Sequence, residues 1–169
     1  NEKIRAMFAE NVKNKFAEYP GIAFNYFHGL IIKHPVQFHM YPLPDDLKAK
    51  CLIDLVEARH KSPENITTYK DWCYRQFGCT FTETFVRDYT RKYWTVELEE
   101  LDTDWVGPRI GTPNIEQVIT GALTDSAQHY NYITMFRYPK NGGFSAFYNS
   151  IPDGQNINLN HNVVQMHPE

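Results

Sequence analysis

Phe77-Gly78-Cys79-Thr80-Phe81-Thr82-Glu83-Thr84-Phe85-Val86-Arg87-Asp88-Tyr89-Thr90-Arg91-Lys92-Tyr93-Trp94 is the stretch whose periodicity sets the class of fold. Phe81, Phe85, Tyr89 and Tyr93 recur four apart, as residues on one face of an α-helix do, while Arg87, Thr90 and Trp94 share another face. Thr80-x-x-Glu83 matches a capping box, in which each side chain satisfies the other's free backbone N–H. The spacing predicts a helix running to about Trp94, with the four aromatics facing the core and Thr90 and Trp94 turned away from them.

Upstream, Tyr69 to Gln76 predicts a short helix closed by Phe77-Gly78, and Ser62-Pro63-Glu64-Asn65 breaks the chain before it. Leu47, Cys51, Leu52, Leu55 and Val56 draw an apolar helical stripe. Asp45 and Asp46 stand at its start and Arg59, His60 and Lys61 at its end, as the helix dipole favours. Earlier still, Ile22 to Phe27 and Leu30 to Lys33 flank His28-Gly29 as a two-stranded hairpin would, and a proline-punctuated loop follows from Pro35 to Pro44. Ile4, Phe8, Val12 and Phe16 predict a first helix that ends at Pro20-Gly21. Downstream, Asn114 caps a stripe of Ile115, Val118, Ile119, Ala122 and Leu123. Met135 to Tyr138 form a short strand, Phe144, Phe147, Tyr148 and Ile151 repeat at helical spacing, and Ile157 to Asn160 alternate as a strand in need of a partner. The class is α+β: a mainly helical domain with a β-hairpin and a few short strands, and 1–169 reads as a single domain.

Composition narrows the function. The chain has 169 residues, Lys+Arg 17 against Asp+Glu 20, three cysteines and 15% aromatic residues. That length allows a chain to bury about 70% of the surface it exposes when unfolded. No apolar run approaches the roughly 18 residues of a membrane span, so no membrane role is expected. No basic stripe tracks a phosphate backbone, which argues against nucleic-acid binding. The cysteines read as reduced cytosolic thiols and the expected location is cytoplasmic. Cys51, on an apolar stripe, reads as a small buried hydrophobe rather than a nucleophile. Seven histidines are scattered without metal-ligand spacing, so no metal is expected. Asn65-Ile66-Thr67 matches a glycosylation acceptor, a pattern short enough to arise by chance. No G-x-G-x-x-G, P-loop or G-x-S-x-G motif is present. The opening Asn1-Glu2-Lys3 is expected to be a cut within something longer. Arg109, after Gly107-Pro108, reads either as an ion-pair partner of Glu99, Glu100, Asp102 or Asp104 or as a ligand residue. Gly142-Gly143 reads equally as an anion cradle or a tight turn.

Several blocks together resemble a known family. They are Phe77-Gly78; Thr84 to Trp94; Leu101-Asp102-x-Asp104-Trp105-Val106-x-x-Arg109-Ile110; His34-Pro35-Val36-Gln37; and Phe136 to Phe144. Taken in chain order they resemble the substrate domain of UDP-galactopyranose mutases, and also that of protoporphyrinogen-oxidase-like and amine-oxidase-like flavoproteins. The blocks span about residues 22 to 165. The resemblance implies a substrate-binding domain excised from a Rossmann-type protein that binds FAD mainly outside this segment. It implies a nucleotide sugar as the small-molecule substrate, held beside reduced flavin, with polysaccharide biosynthesis as the setting and a fragment inactive alone. By the same resemblance Gln37 contacts the nucleotide, Trp94 matches the mutase tryptophan, Arg109 contacts the diphosphate and Asn131 stands before the Phe136-Arg137-Tyr138-Pro139 strand. Thr90 stands in place of an asparagine and His34 in place of a tyrosine. Those two departures favour the alternative, a flavin-dependent oxidoreductase of the amine oxidase or protoporphyrinogen oxidase type. A third possibility is a free-standing interaction module whose surface aromatics mark a partner site.

Overall fold

The computed structural model describes residues 2–61, 65–107, 110, 112–125, 130, 133–149 and 154–167. These divide into two compact units, one of residues 21–134 and one of 1–20 with 135–169. The elements are helical segments and two small antiparallel sheets, an α+β composition.

In the smaller unit, α1 (Glu2–Asn11) ends five residues short of Phe16. Lys13 and Asn14 adopt left-handed φ of 51° and 56°, and Asn14 N–H closes onto the Ala9 carbonyl at 2.8 Å. The predicted helix therefore stops early, and Phe16 opens β1 (Phe16–Pro20), which pairs antiparallel with β4 (Met135–Pro139). A strand whose partner lies over a hundred residues away leaves little local trace in sequence. Arg137 binds Glu18 across this ladder at 2.9 Å and covers the Phe16 ring. Phe144–Phe147 forms a 3-10 turn instead of the longer helix its spacing implied, and Phe147 is buried against Phe8 and Phe144. The tail near Ile157 to Asn160 forms no strand; Leu159 and Val164 are 78% and 90% exposed.

The larger unit begins with β2 (Phe24–Phe27) and β3 (Leu30–Lys33), joined through His28 and Gly29, both at positive φ as a two-residue hairpin turn requires. Alternation sends Ile32 into the core and leaves Phe24, Tyr26 and Ile31 outside. A 3-10 turn (Val36–Phe38) leads to α2 (Asp45–His60), whose charged ends agree with its dipole. α3 (Tyr69–Phe77) carries a capping box of Thr68 and Asp71. α6 (Ile115–Leu123) carries another, of Asn114 and Gln117. Arginines on α2 and α3 cap each other's C-termini: Arg59 donates to the Gln76 carbonyl at 3.3 Å and Arg75 to that of Ala58. Ile32, Met40, Leu55, Phe77, Phe81 and Leu98 are among the buried core residues.

After α3 the chain turns at Gly78 (φ 81°) into α4 (Cys79–Phe81), a π-helical turn (Thr82–Val86) and α5 (Arg87–Trp94). The expected Thr80–Glu83 box is absent because the helix starts at Cys79, which places Thr80 inside it. Its cap comes from α2, where one Asp54 carboxylate oxygen accepts the Thr80 N–H at 2.7 Å and the Thr80 hydroxyl at 2.6 Å. Glu83 is bound instead to Arg87 and the Tyr74 hydroxyl. A Cβ on Gly78 would lie 2.7 Å from the Asp54 carbonyl carbon, so the turn sits directly on the α2 backbone. Likewise a Cβ on Gly121 of α6 would strike the Phe38 carbonyl, and Tyr41 N–H bonds to the Gly121 carbonyl at 2.8 Å.

Arg87 gathers three carboxylates, Glu83 at 2.6 Å, Glu97 at 3.0 Å and Glu99 at 3.0 Å, while Lys70 shares Glu99 and Arg91 shares Glu97. Hydrogen bonds from Arg87, first of all causes, hold the carboxyls of Glu83 and Glu99 down at about 2. Burial pushes the Cys51 thiol up to about 12, so it stays protonated and inert at neutral pH. Among the described residues no helix is long and apolar enough to cross a membrane.

Gly78→Ala combines a disfavoured φ with a clash against α2 and should destabilise the protein by roughly 2–4 kcal/mol. Asp54→Ala, which removes only the cap, should cost about 1 kcal/mol; urea midpoints for the two variants check the order. Glu83 and Glu99 bind protons more tightly in the unfolded chain, where glutamate titrates near about 4.3. The stability they contribute is complete above that value and lost as pH falls toward about 2. Urea midpoints measured across that window should fall steeply in the native protein. In Arg87→Met the slope should flatten, because Glu83 then loses its guanidinium and Glu99 keeps only Lys70.

Candidate functional site

The site is organised by the π-helical turn. Thr82 is fully buried, and its hydroxyl donates to the Gly78 carbonyl at 2.7 Å; the Thr84 hydroxyl does the same to Thr80 at 2.7 Å. Arg87 N–H reaches back five residues to the Thr82 carbonyl. One extra residue in a turn rotates everything after it by about 100°. Phe81 and Phe85 lie on the inward face as their spacing predicts, touching at 5.0 Å between centroids, with Phe85 against Phe27 at 4.8 Å. Beyond the π turn the inward position passes from Tyr89 to Thr90. Thr90 is 1% exposed, whereas Tyr89 and Tyr93 are 49% and 64% exposed. Thr90 and the two tyrosines thus take the opposite faces to those predicted, while Trp94 points outward as its spacing implied.

The rotation builds an aromatic surface. Tyr89 and Tyr93 lie nearly parallel, 5.7 Å apart with an interplanar angle of 9°. His34, delivered from the end of β3, continues the stack on Tyr89 at 6.2 Å and 24°. At the other end Trp94 meets Tyr93 edge-on at 4.9 Å and Trp105 at 5.6 Å, and Trp105 rests on Tyr69 at 5.0 Å. The Trp105 indole N–H is anchored on the Asp102 carbonyl at 3.0 Å. The Asn25 amide nitrogen lies 3.4 Å from His34 Nδ1; with the amide as donor, the ring proton sits on Nε2. Burial lowers the His34 pKa, so the ring is neutral at pH 7 and offers a flat, uncharged face. Such a surface suits a planar ring or the apolar face of a sugar. No cluster of three or more metal-ligating side chains converges among the described residues.

Of the residues singled out from sequence, Trp94 stands on this surface, 43% exposed, and Thr90 lies beneath the same helix with no open approach to its hydroxyl. Gln37, half-buried in the Val36–Phe38 turn, lines a small cavity of about 10 Å³ with Met40, Cys51, Leu55 and Phe81 among its walls, room for about one water. Arg109 and Asn131 lie outside the described residues. Three of the four acids weighed as partners of Arg109 have other engagements: Glu99 with Arg87 and Lys70, Glu100 with the Glu97 N–H, and Asp102 with the Asp104 N–H. Tyr89, Tyr93 and Trp105 were not legible as site residues. The threonines at 82 and 84, able to bond back to the preceding turn, are the one signal that could have exposed the change of face.

No protein-family model matches the chain. A solved structure of reduced UDP-galactopyranose mutase is similar to it in fold, with a TM-score of 0.79 and 21% sequence identity, covering 89% of this chain and 32% of the mutase chain. The likeness is one of architecture: this chain folds like a part, about a third, of a UDP-galactopyranose mutase.

Proposed function

We propose that this chain is the substrate-holding part of an FAD-dependent enzyme resembling UDP-galactopyranose mutase, and that it binds a nucleotide sugar. The observation that carries the proposal is the fold likeness over 89% of the chain. The aromatic surface from His34 to Trp105 supports it, since stacking of one base on an aromatic side chain contributes about 1–3 kcal/mol. In this reading Trp94 walls the ligand, Gln37 contacts the nucleotide, Asn131 lies nearby and Arg109 offers a guanidinium fork to the diphosphate. Flavin is a separate matter. Among the described residues each sheet is a two-stranded antiparallel ribbon, without the parallel strand-helix-strand unit that presents a helix N-terminus to a dinucleotide. These residues do not fit FAD, which this reading assigns to other parts of a larger protein. His34 and Thr90, standing where mutases carry tyrosine and asparagine, favour a second reading in which that larger protein is a flavin-dependent oxidoreductase.

Calorimetric titration of the chain with UDP should show saturable binding, weakened about tenfold by Trp94→Ala and more strongly by Arg109→Ala. The absence of UDP binding at millimolar concentration would falsify the nucleotide reading. The larger flavoprotein should isomerise UDP-galactose only when its flavin is reduced. Oxygen consumption with substrate-dependent flavin bleaching would select the oxidoreductase instead.

A further inference from the structure

Apart from the aromatic surface, the smaller unit contains a cavity of about 180 Å³ lined by Asn11, Val12, Lys13, Lys15, Asn141 and Ala146. Among the described residues no carboxylate lines it. The left-handed pair Lys13 and Asn14 folds the end of α1 back, so that Lys13 and Lys15 reach the same cavity from a tight bend. The Lys140 N–H bonds to the Lys15 carbonyl at 3.0 Å, which holds the backbone of the Lys15 bend beside the strand that leads to Asn141. None of these three lysines has an ion-pair partner among the described residues, although Arg137 of the same unit is paired with Glu18. Asn141 adds a side-chain amide to the wall, and the Gly142-Gly143 turn (φ 84° and 66°) follows it. The N–H groups of those two glycines donate no hydrogen bond among the described residues. Asn11 is partly committed, since its amide donates to the Phe147 carbonyl at 2.6 Å.

Two like charges lining one cavity, Lys13 and Lys15, raise each other's energy unless a counterion shares the site. A space several times the roughly 30 Å³ share of one water admits a tetrahedral oxyanion. We propose that this cavity is a phosphate-binding site: Lys13 and Lys15 supply charge, and the Asn141 amide supplies a directed hydrogen bond. The site is formed within residues 1–20 and 135–169 alone and is independent of the nucleotide-sugar reading. The ligand is a phosphoryl group, either free phosphate or pyrophosphate or the phosphates of a nucleotide.

The test is a titration of the full chain with pyrophosphate, followed by the amide resonances of Gly142 and Gly143. Saturable shifts with a Kd below roughly 1 mM are expected, weakened at least about tenfold in Lys13→Gln/Lys15→Gln and unchanged in Lys50→Gln. The same shifts with UDP, retained in Trp94→Ala, identify nucleotide phosphates as the source; a response to phosphate and pyrophosphate alone identifies the free anions. Glycine amides that stay still up to about 10 mM pyrophosphate, or a binding curve unmoved by removal of both lysines, overturn the proposal.

Discussion

One carboxylate oxygen fixes the geometry on which the larger unit depends. Asp54, in the middle of α2, accepts both the N–H and the hydroxyl of Thr80, and so caps a helix to which it does not belong. An N-terminal cap borrowed from a neighbouring helix ties the start of α4 to a particular turn of α2. Gly78 brings the two backbones into contact beside that bond, and only a residue without Cβ fits. With the start fixed, the single extra residue of the π turn decides which side chains reach the core and which reach solvent. The aromatic surface is therefore a consequence of the Asp54 bond as much as of the aromatics themselves.

Charge is distributed to serve that arrangement. The exposed ladder of Tyr89, Tyr93 and Trp94 shares its helix with Arg87 and Arg91, both engaged by glutamates. Both arginines of that helix are thus neutralised by the protein's own carboxylates, whereas no carboxylate pairs with Lys92 among the described residues.

Much of the fold was readable in residue order. α2 announced itself through Asp45 and Asp46 at one end and Arg59 and His60 at the other, and the hairpin through His28-Gly29 between two β-rich runs. What escaped had a common cause, a structural choice made by partners distant in sequence or by one residue of register. β1 read as helix because its strand partner is β4. The Thr80 cap was attributed to Glu83, three residues away, when the acceptor was Asp54. Thr90 and Tyr89 exchanged faces because a π turn leaves the 3.6-residue pattern intact on each side and shifts only the join. Trp94 was legible as an outward-facing aromatic, whereas its neighbour Trp105 and the stacked pair Tyr89 and Tyr93 joined it only once the chain was folded.

The crossed arginines of α2 and α3 have a dynamic consequence. Arg59 holds the last turn of α3 and Arg75 holds the last turn of α2, so neither terminus can fray without releasing the other's side chain. Local opening is then a joint event, and the two helix ends exchange their amide protons as one cooperative unit. Arg59 also reaches the buried Pro113 carbonyl at 3.2 Å, extending that unit to the approach of α6. Two helix ends that sequence places seventeen residues apart become a single unit of local opening.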